Sequence, residues 1–282
     1  MKRSKIEEAF FKIVMILSMM VVLGSLALIL ATVVWKGLPA MQLSMLTQTP
    51  KGGYYLGKEG GILNAILGSL FLAGGATLLA LFASLPIAIY LQIYARGTRR
   101  VEWIRLALDV LWGIPSIVYG AFGFTLMLYL GMRASLLGGI ITLALLELPI
   151  MTRGMDEAIA MVPAALKESS YALGATRLET AFKVVVRQTA PGLLTAVLLA
   201  FGRGIGDAAS VLFTAGYTDR LPTSLLGPAA SLPLAVFFQL GTPFPAVQER
   251  AYASAFILTC IVLILSLVSR ALAGRLAEHI VR

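Results

Sequence analysis

The sequence predicts an all-α integral membrane protein: six transmembrane helices, with one long polar passage, residues 162–192, held against a single face of the bilayer. Three observations carry this. Of 282 residues 59% are hydrophobic and only 13% charged, and the apolar runs are long enough to span a bilayer. Of the 23 Lys and Arg residues, 16 fall in segments 1–12, 96–105, 151–191 and 270–282, 6 fall in the segments between, and Arg203 lies within a span. That is the positive-inside pattern, which places both termini in the cytoplasm of a multi-pass protein of the inner (plasma) membrane. The same asymmetry accounts for the net charge of +9, so membrane lipid rather than nucleic acid is the expected surroundings. The single cysteine, Cys260, excludes an internal disulfide and a cysteine metal cluster, and its expected task is packing.

Taken in order, residues 1–12 form a cytoplasmic tail and residues 13–35 the first span, too long for the roughly 7 to 15 residue core of a secretory signal. Residues 36–60 are polar, glycine-rich and expected outside. Gly52, Gly57 and Lys58 match most of a phosphate-loop spacing, but Glu59 stands where a Ser or Thr would hold magnesium, and no strand precedes. The second span, residues 62–94, ends at the basic turn 96–105. The third, residues 106–132, is interrupted by GIPSIVYG at 113–120, which frees backbone carbonyls that must be satisfied inside the protein. Chemistry alone leaves two readings of it, a packing kink and a segment that faces a pathway inside the bundle. The fourth span, residues 136–151, contains Glu147 and Pro149, and an acid at that depth is expected to look inward. The fifth is expected at 193–216, an outer loop punctuated by five prolines at 217–250, and the sixth at 251–272. One six-span domain, residues 13–274, results, with a core at 60–274, a polar loop at 152–191 and a short tail at 275–282.

The polar passage has a helical grammar. Pro163 can open a helix, residues 164–173 continue it, and Gly174 suits the left-handed residue that closes it. Thr176 and Glu179 have capping-box spacing, and residues 181–188 extend a second short helix. An amphipathic loop lying on the membrane is one reading. Glu168-Ser169-Ser170, three residues, Gly174, then Val184 and Val186, resembles the EAA loop of binding-protein-dependent ABC-importer permeases, usually Glu-Ala-Ala, three residues, Gly, nine residues, Ile-x-Leu-Pro. The departures are Ser169 and Ser170 for the alanines and Arg187 for the proline. The resemblance implies the MetI-like fold of type I importers and a coupling helix, with Glu168, Ser169, Ser170 and Gly174 seated in a cleft of a cytoplasmic ATPase. GIPSIVYG, and Gly60 to Asn64 followed by Gly68-Ser69-Leu70, resemble the phosphate-specific branch of the family.

Arg203 and Asp207 stand four apart, which on a helix lets them pair. An arginine in an apolar span offers a rigid fork of donors suited to phosphate or carboxylate oxygens, and the plain alternative is a buried structural ion pair. The run Arg203-Gly204-Ile205-Gly206-Asp207, then Leu212-Phe213-Thr214-Ala215, resembles the Arg-x-x-Gly-Glu run of phosphate permeases, with Asp207 for the glutamate. Arg153, Asp156 and Glu157 resemble the family's Arg-x-x-Glu run, although Arg153 also reads as a positive-inside anchor. The resemblance thus implies a pathway lined by Arg203, Asp207, Arg153, Asp156 and Glu157 in a non-catalytic subunit of an inorganic phosphate importer. It implies four partner components: a homologous permease, two cytoplasmic ATPases holding ATP and magnesium, and an external phosphate-binding protein. This chain itself is expected to bind no cofactor or metal. The compact first outer loop favours one of the importer's two homologous permeases over the other. Sulfate or molybdate remains an alternative cargo, and a passive anion channel or ion-coupled carrier an alternative class. His279, the only histidine, offers no catalytic constellation.

Overall fold

The computed structural model describes residues 2–51 and 59–277. Gly52, Gly57, Lys58, His279 and the end of the expected C-terminal tail lie outside them. Among the described residues five helices are long and apolar enough to cross a membrane, and a helix pair bent by 97° supplies a sixth crossing if counted as one span. Helix α1 (Lys2–Gly37) runs unbroken from the expected tail into the first span. None of its apolar window is buried, so it stands at the periphery. It meets the last helix at its end, where Lys36 Nζ lies 3.2 Å from Tyr252 Oη and 4.8 Å above that ring. A short α2 (Leu43–Thr47) and two-residue strands β1 (Pro50–Lys51) and β2 (Glu59–Gly60), antiparallel with Pro50 opposite Gly60, close the segment between the first two spans.

Helix α3 (Leu63–Ile89) continues through a π-turn at Tyr90–Tyr94. Helices α4 (Arg99–Gly113) and α5 (Ser116–Tyr129) are the bent pair, so the third span starts earlier than expected and turns sharply at the GIPS run. Ile114 takes an extended ψ of 130° because proline pushes its predecessor out of the helical region, and Pro115, with ψ 137°, is the N-cap of α5. Tyr119 Oη donates to Leu111 O at 2.8 Å, supplying a side-chain partner to a carbonyl beside the break.

Helix α6 (Leu136–Ala160), capped where Ser135 Oγ accepts from Gly138 N at 3.2 Å, is the central element. Two thirds of its apolar window (67%) is buried, against none in α1, which decides that α6 is the hub and α1 the lipid-facing rim. Helix α7 (Ala164–Ala172) follows, then α8 (Arg177–Glu179), a π-turn at Thr180–Val186 and α9 (Arg187–Ile205) in one continuous helix. The second helix of the polar passage is therefore the first part of the fifth span, with Pro191 inside it. That span also stops at Ile205, eleven residues before the expected boundary at Gly216. Gly202, Gly204 and Gly206 weaken the helix, and Asp207 Oδ2 accepts from Ser210 N at 2.8 Å, a side-chain bond that competes with helical continuation.

The end of the expected fifth span and the stretch expected as an outer loop turn back into the bundle. Val211, Ala215, Ala229 and Ala230 are buried, and α10 (Leu232–Leu240) packs before α11 (Pro245–Ala277) leaves. Irregular backbone at this depth needs partners inside the protein. Leu232 N donates to Ser69 Oγ at 2.8 Å, Asn64 Nδ2 to Thr218 O at 2.7 Å, Ser135 N to Thr214 O at 2.8 Å, and Ala229 N to Ala215 O at 2.9 Å. Contact between α3 and this segment is so close at Gly68 that a Cβ there would strike Ala230 O. Similar small-residue approaches, Gly154 to Ala196 and Gly192 to Ala158, bring α6 against α9.

Candidate functional site

Arg203 occupies the last turn of α9 and Asp207 the break after it. Arg203 Nη1 donates to Asp207 Oδ1 at 2.9 Å, as the four-residue spacing predicts. The two ends of the pair differ in exposure: the Asp207 side chain is 4% exposed and the Arg203 side chain 47%. Arg203 is thus not in dry surroundings within this chain, because the helix ends there and lets its guanidinium reach an open face. Asp207 divides its oxygens between Arg203 and the Ser210 amide, so it fixes the guanidinium and shapes the break at once. Glu147 faces inward as expected, fully buried, with Thr77 Oγ1 donating to its Oε2 at 2.8 Å.

Arg153 and Asp156 belong to a second cluster toward the other end of α6. Asp156 lies nine residues beyond Glu147, roughly 13 Å of helical rise. Arg105 grips Asp156 with two donors, Nε to Oδ2 at 2.8 Å and Nη2 to Oδ1 at 3.1 Å. Gln92 Nε2 donates to Asp156 Oδ1 at 2.7 Å, and Arg153 Nη1 to Oδ2 at 3.5 Å. Arg153 Nε also lies 2.8 Å from Asp109 Oδ1, an ion pair whose angle falls short of a hydrogen bond. The cluster ties the π-turn after α3 to α4 and α6 with balanced charge. Glu157 is exposed and makes none of these contacts. Sequence reasoning missed Gln92, Arg105 and Asp109: Arg105 read as part of a basic anchor, and the signal available was a glutamine at the end of an apolar span.

In the polar passage α7 ends as predicted, with Gly174 at φ +83°. Both capping-box bonds are present, Glu179 N to Thr176 Oγ1 at 3.2 Å and Thr176 N to Glu179 Oε2 at 3.0 Å. Ser170 and Thr180 hydroxyls, 2.9 Å apart, pin α7 to the foot of the fifth span. Lys167 is buried, and its ammonium pKa is lowered by that burial first and by the Arg96 charge second. Glu168 and Ser169 are exposed, and so are Met161 (83%), Leu173 (89%) and Leu178 (58%). These three large apolar side chains stand singly at the two ends of α7 and at the start of the next helix.

The profile of the family described as binding-protein-dependent transport system inner membrane component matches residues 84–282. The chain is similar to the phosphate transport system permease protein PstA of Haemophilus influenzae, 34% identical over 255 residues, covering 90% of this chain and 89% of that protein. It is similarly related to PstA of Yersinia pestis, 34% identical over 262 residues, 92% of this chain and 88% of the other. Among solved structures it resembles a chain of the inward-facing MetNI methionine ABC transporter, with a TM-score of 0.63 at 18% identity, covering 76% of this chain and 95% of that one. A chain of an amino acid ABC transporter matches with a TM-score of 0.53 at 17% identity, covering 78% and 94%.

Proposed function

The chain belongs to the family of binding-protein-dependent transport system inner membrane components, and from that membership we propose that it is the PstA-type permease of an ATP-driven inorganic phosphate importer. The observation that carries the substrate reading is the Arg203 fork, half exposed and held from behind by a buried Asp207. A phosphate dianion leaving water needs compensating charge, and a planar guanidinium presents two donors to two oxygens without losing its proton. Arg203 and a counterpart arginine from a PstC-like partner permease would supply two positive charges in a shared pathway. At the inner end, Arg153 and Asp156 are assigned to the exit, with Arg105 beside them and Glu157 on the adjoining exposed face. An anion there would compete with Asp156 for the two guanidinium groups.

Energy comes from two PstB-like ATPases that hold ATP and magnesium, and cargo from a PstS-like phosphate-binding protein outside. Glu168, Ser169, Ser170 and Gly174 are the proposed coupling contacts, and membership of the family favours a driven importer over a passive anion channel or carrier. This chain contributes no chemistry of its own to hydrolysis, and its termini face the cytoplasm. The test is to purify the complex through this subunit and measure ATP hydrolysis with loaded binding protein. Phosphate-loaded protein is expected to stimulate hydrolysis, while stimulation by a sulfate- or molybdate-loaded protein instead would replace phosphate with that oxyanion.

A further inference from the structure

Glu147 is unused by the transport reading, and its surroundings are unusual. It is 0% exposed at the meeting of α3, α6 and α9. Thr77 donates to Oε2, whereas Oε1 has no hydrogen-bond partner within the chain. Oε1 presses on Gly204 so closely that a Cβ there would collide with it, and Gly204 is next to Arg203 in the final turn of α9. Leu143 and Ala73, one turn from Glu147 and Thr77 on α6 and α3, line a cavity of about 10 Å³ with Gly204, Ile205, Asp207 and Val211. This gap lies between the helix end and the break that holds Asp207, so the final turn of α9 has a small space beside it as well as a carboxyl group beneath it.

An ionised carboxylate here would be buried with a single hydroxyl as partner, a cost that burial imposes unless a counter-charge is met. Of the elements packed on α6, α3 carries no ionisable residue and faces Glu147 with Thr77. On α9 the charged residues are Arg187, at the far end, and Arg203, whose contact is Asp207. Arg105 and Asp109 of α4, with Arg153 and Asp156 of α6, are engaged in the distant cluster, Glu157 is exposed, and Tyr119 of α5 bonds to Leu111 O. The π-turn that carries Gln92 of that cluster adds Tyr90 and Tyr94, both exposed. A bound metal ion would want several oxygen ligands, and one carboxyl with one hydroxyl is too few.

We propose that Glu147 is a proton-binding site that works as a latch: as a neutral acid, protonated on Oε1, it lets the Arg203-bearing end of α9 close against α3 and α6, and once ionised it keeps that turn from closing. In the latched state the proton sits on the oxygen facing the helix end, and Oε2 keeps the Thr77 bond. Movement of the α9 end exposes the carboxyl to water, the proton leaves to solvent, and re-latching takes one up. Glu147 is therefore a positioning residue acting through α9, and alkaline conditions oppose re-latching. The link to transport rests on the phosphate-importer reading, but the protonation state does not.

The test uses the purified transporter complex. Infrared spectroscopy should show a protonated carboxylic acid carbonyl band that shifts in deuterated water and is lost in Glu147→Gln. In vesicles, the alkaline fall of ATP-dependent uptake should flatten in Glu147→Gln, which is permanently neutral, with assembly retained. Absence of a Glu147-dependent acid band overturns the proposal whatever ion is carried, and so does an unchanged pH profile. Should Gln prevent assembly, Glu147→Met is used for both measurements, and failure of both neutral variants to assemble, which a neutral buried acid does not predict, also overturns it. An acid band in a complex that carries another oxyanion would leave the latch standing and remove only the phosphate assignment.

Discussion

At the scale of single residues, the consequential contrast is between the exposed arginine and the buried acid of one ion pair. Arg203→Gln keeps polarity but loses the charge and much of the donor fork, so ATP-dependent phosphate uptake into vesicles is expected to fall at least about tenfold, on the order of 1.4 kcal/mol, with subunit levels unchanged. Wild-type uptake by this variant would end the pathway assignment. Arg203→Lys should remain impaired, because a point charge does not reproduce a two-donor contact. Asp207→Asn is expected to act differently, since Asp207 serves both Arg203 and the Ser210 amide. One amide oxygen cannot replace two carboxylate oxygens, so the variant should lower the thermal stability of the complex by about 1 to 3 kcal/mol as well as altering uptake. Stability equal to wild type, measured by thermal unfolding of the purified complex, would reduce Asp207 to a holder of Arg203 alone.

At the scale of elements, two joints carry the argument. Gly174 ends α7 at φ +83°, a conformation that costs a β-branched residue roughly 1 to 2 kcal/mol. No neighbouring atom lies within 4 Å of a Cβ built there, so the strain in Gly174→Val is one of backbone conformation rather than collision. Assembly should survive while phosphate-stimulated ATP hydrolysis falls, and normal uptake by this variant would sink the idea that the loop geometry transmits force. Gly68 is the opposite case, because its neighbour is the Ala230 carbonyl, a backbone atom that cannot swing away. Gly68→Ala should separate α3 from the re-entrant segment at a cost of about 1 to 3 kcal/mol, seen as a lower unfolding temperature of the complex. An unchanged unfolding temperature would mean that the segment is held chiefly by the Ser69 and Asn64 bonds.

At the scale of the whole molecule, a buried hub, α6, is flanked by α3 and α9, with α1 on the rim and the α7 turn at one end. The proposed orientation puts that turn and both termini in the cytoplasm. In a background lacking Cys260, an impermeant thiol reagent added outside should label Lys51→Cys and leave Lys5→Cys protected, both positions being exposed. The reverse pattern would invert the topology. Once labelling fixes the sides, each ionic group has a place along the membrane normal: Arg203 and Asp207 at the end of α9, and the Asp156 cluster well along α6 towards the opposite side.

The sequence by itself determined the class, the number of spans, the break at 113–120, the Gly174 joint and the Thr176–Glu179 cap, because each follows from local properties: apolar length, proline and glycine geometry, and a side chain meeting its own backbone. The Arg203–Asp207 pair was legible for the same reason, being four residues apart. What the tertiary structure decided is where the fifth span stops, that the proline-rich stretch before α11 folds back into the bundle, and what surrounds each buried charge. Those depend on contacts between residues far apart in the chain: Ser69 with Leu232, Gln92 and Arg105 with Asp156, and Thr77 and Gly204 with Glu147. Polar residues in an apolar span announce that a partner is needed, but which element supplies it is settled by packing, since in the membrane interior an unsatisfied group is costly and close helix approach is what brings its partner within reach.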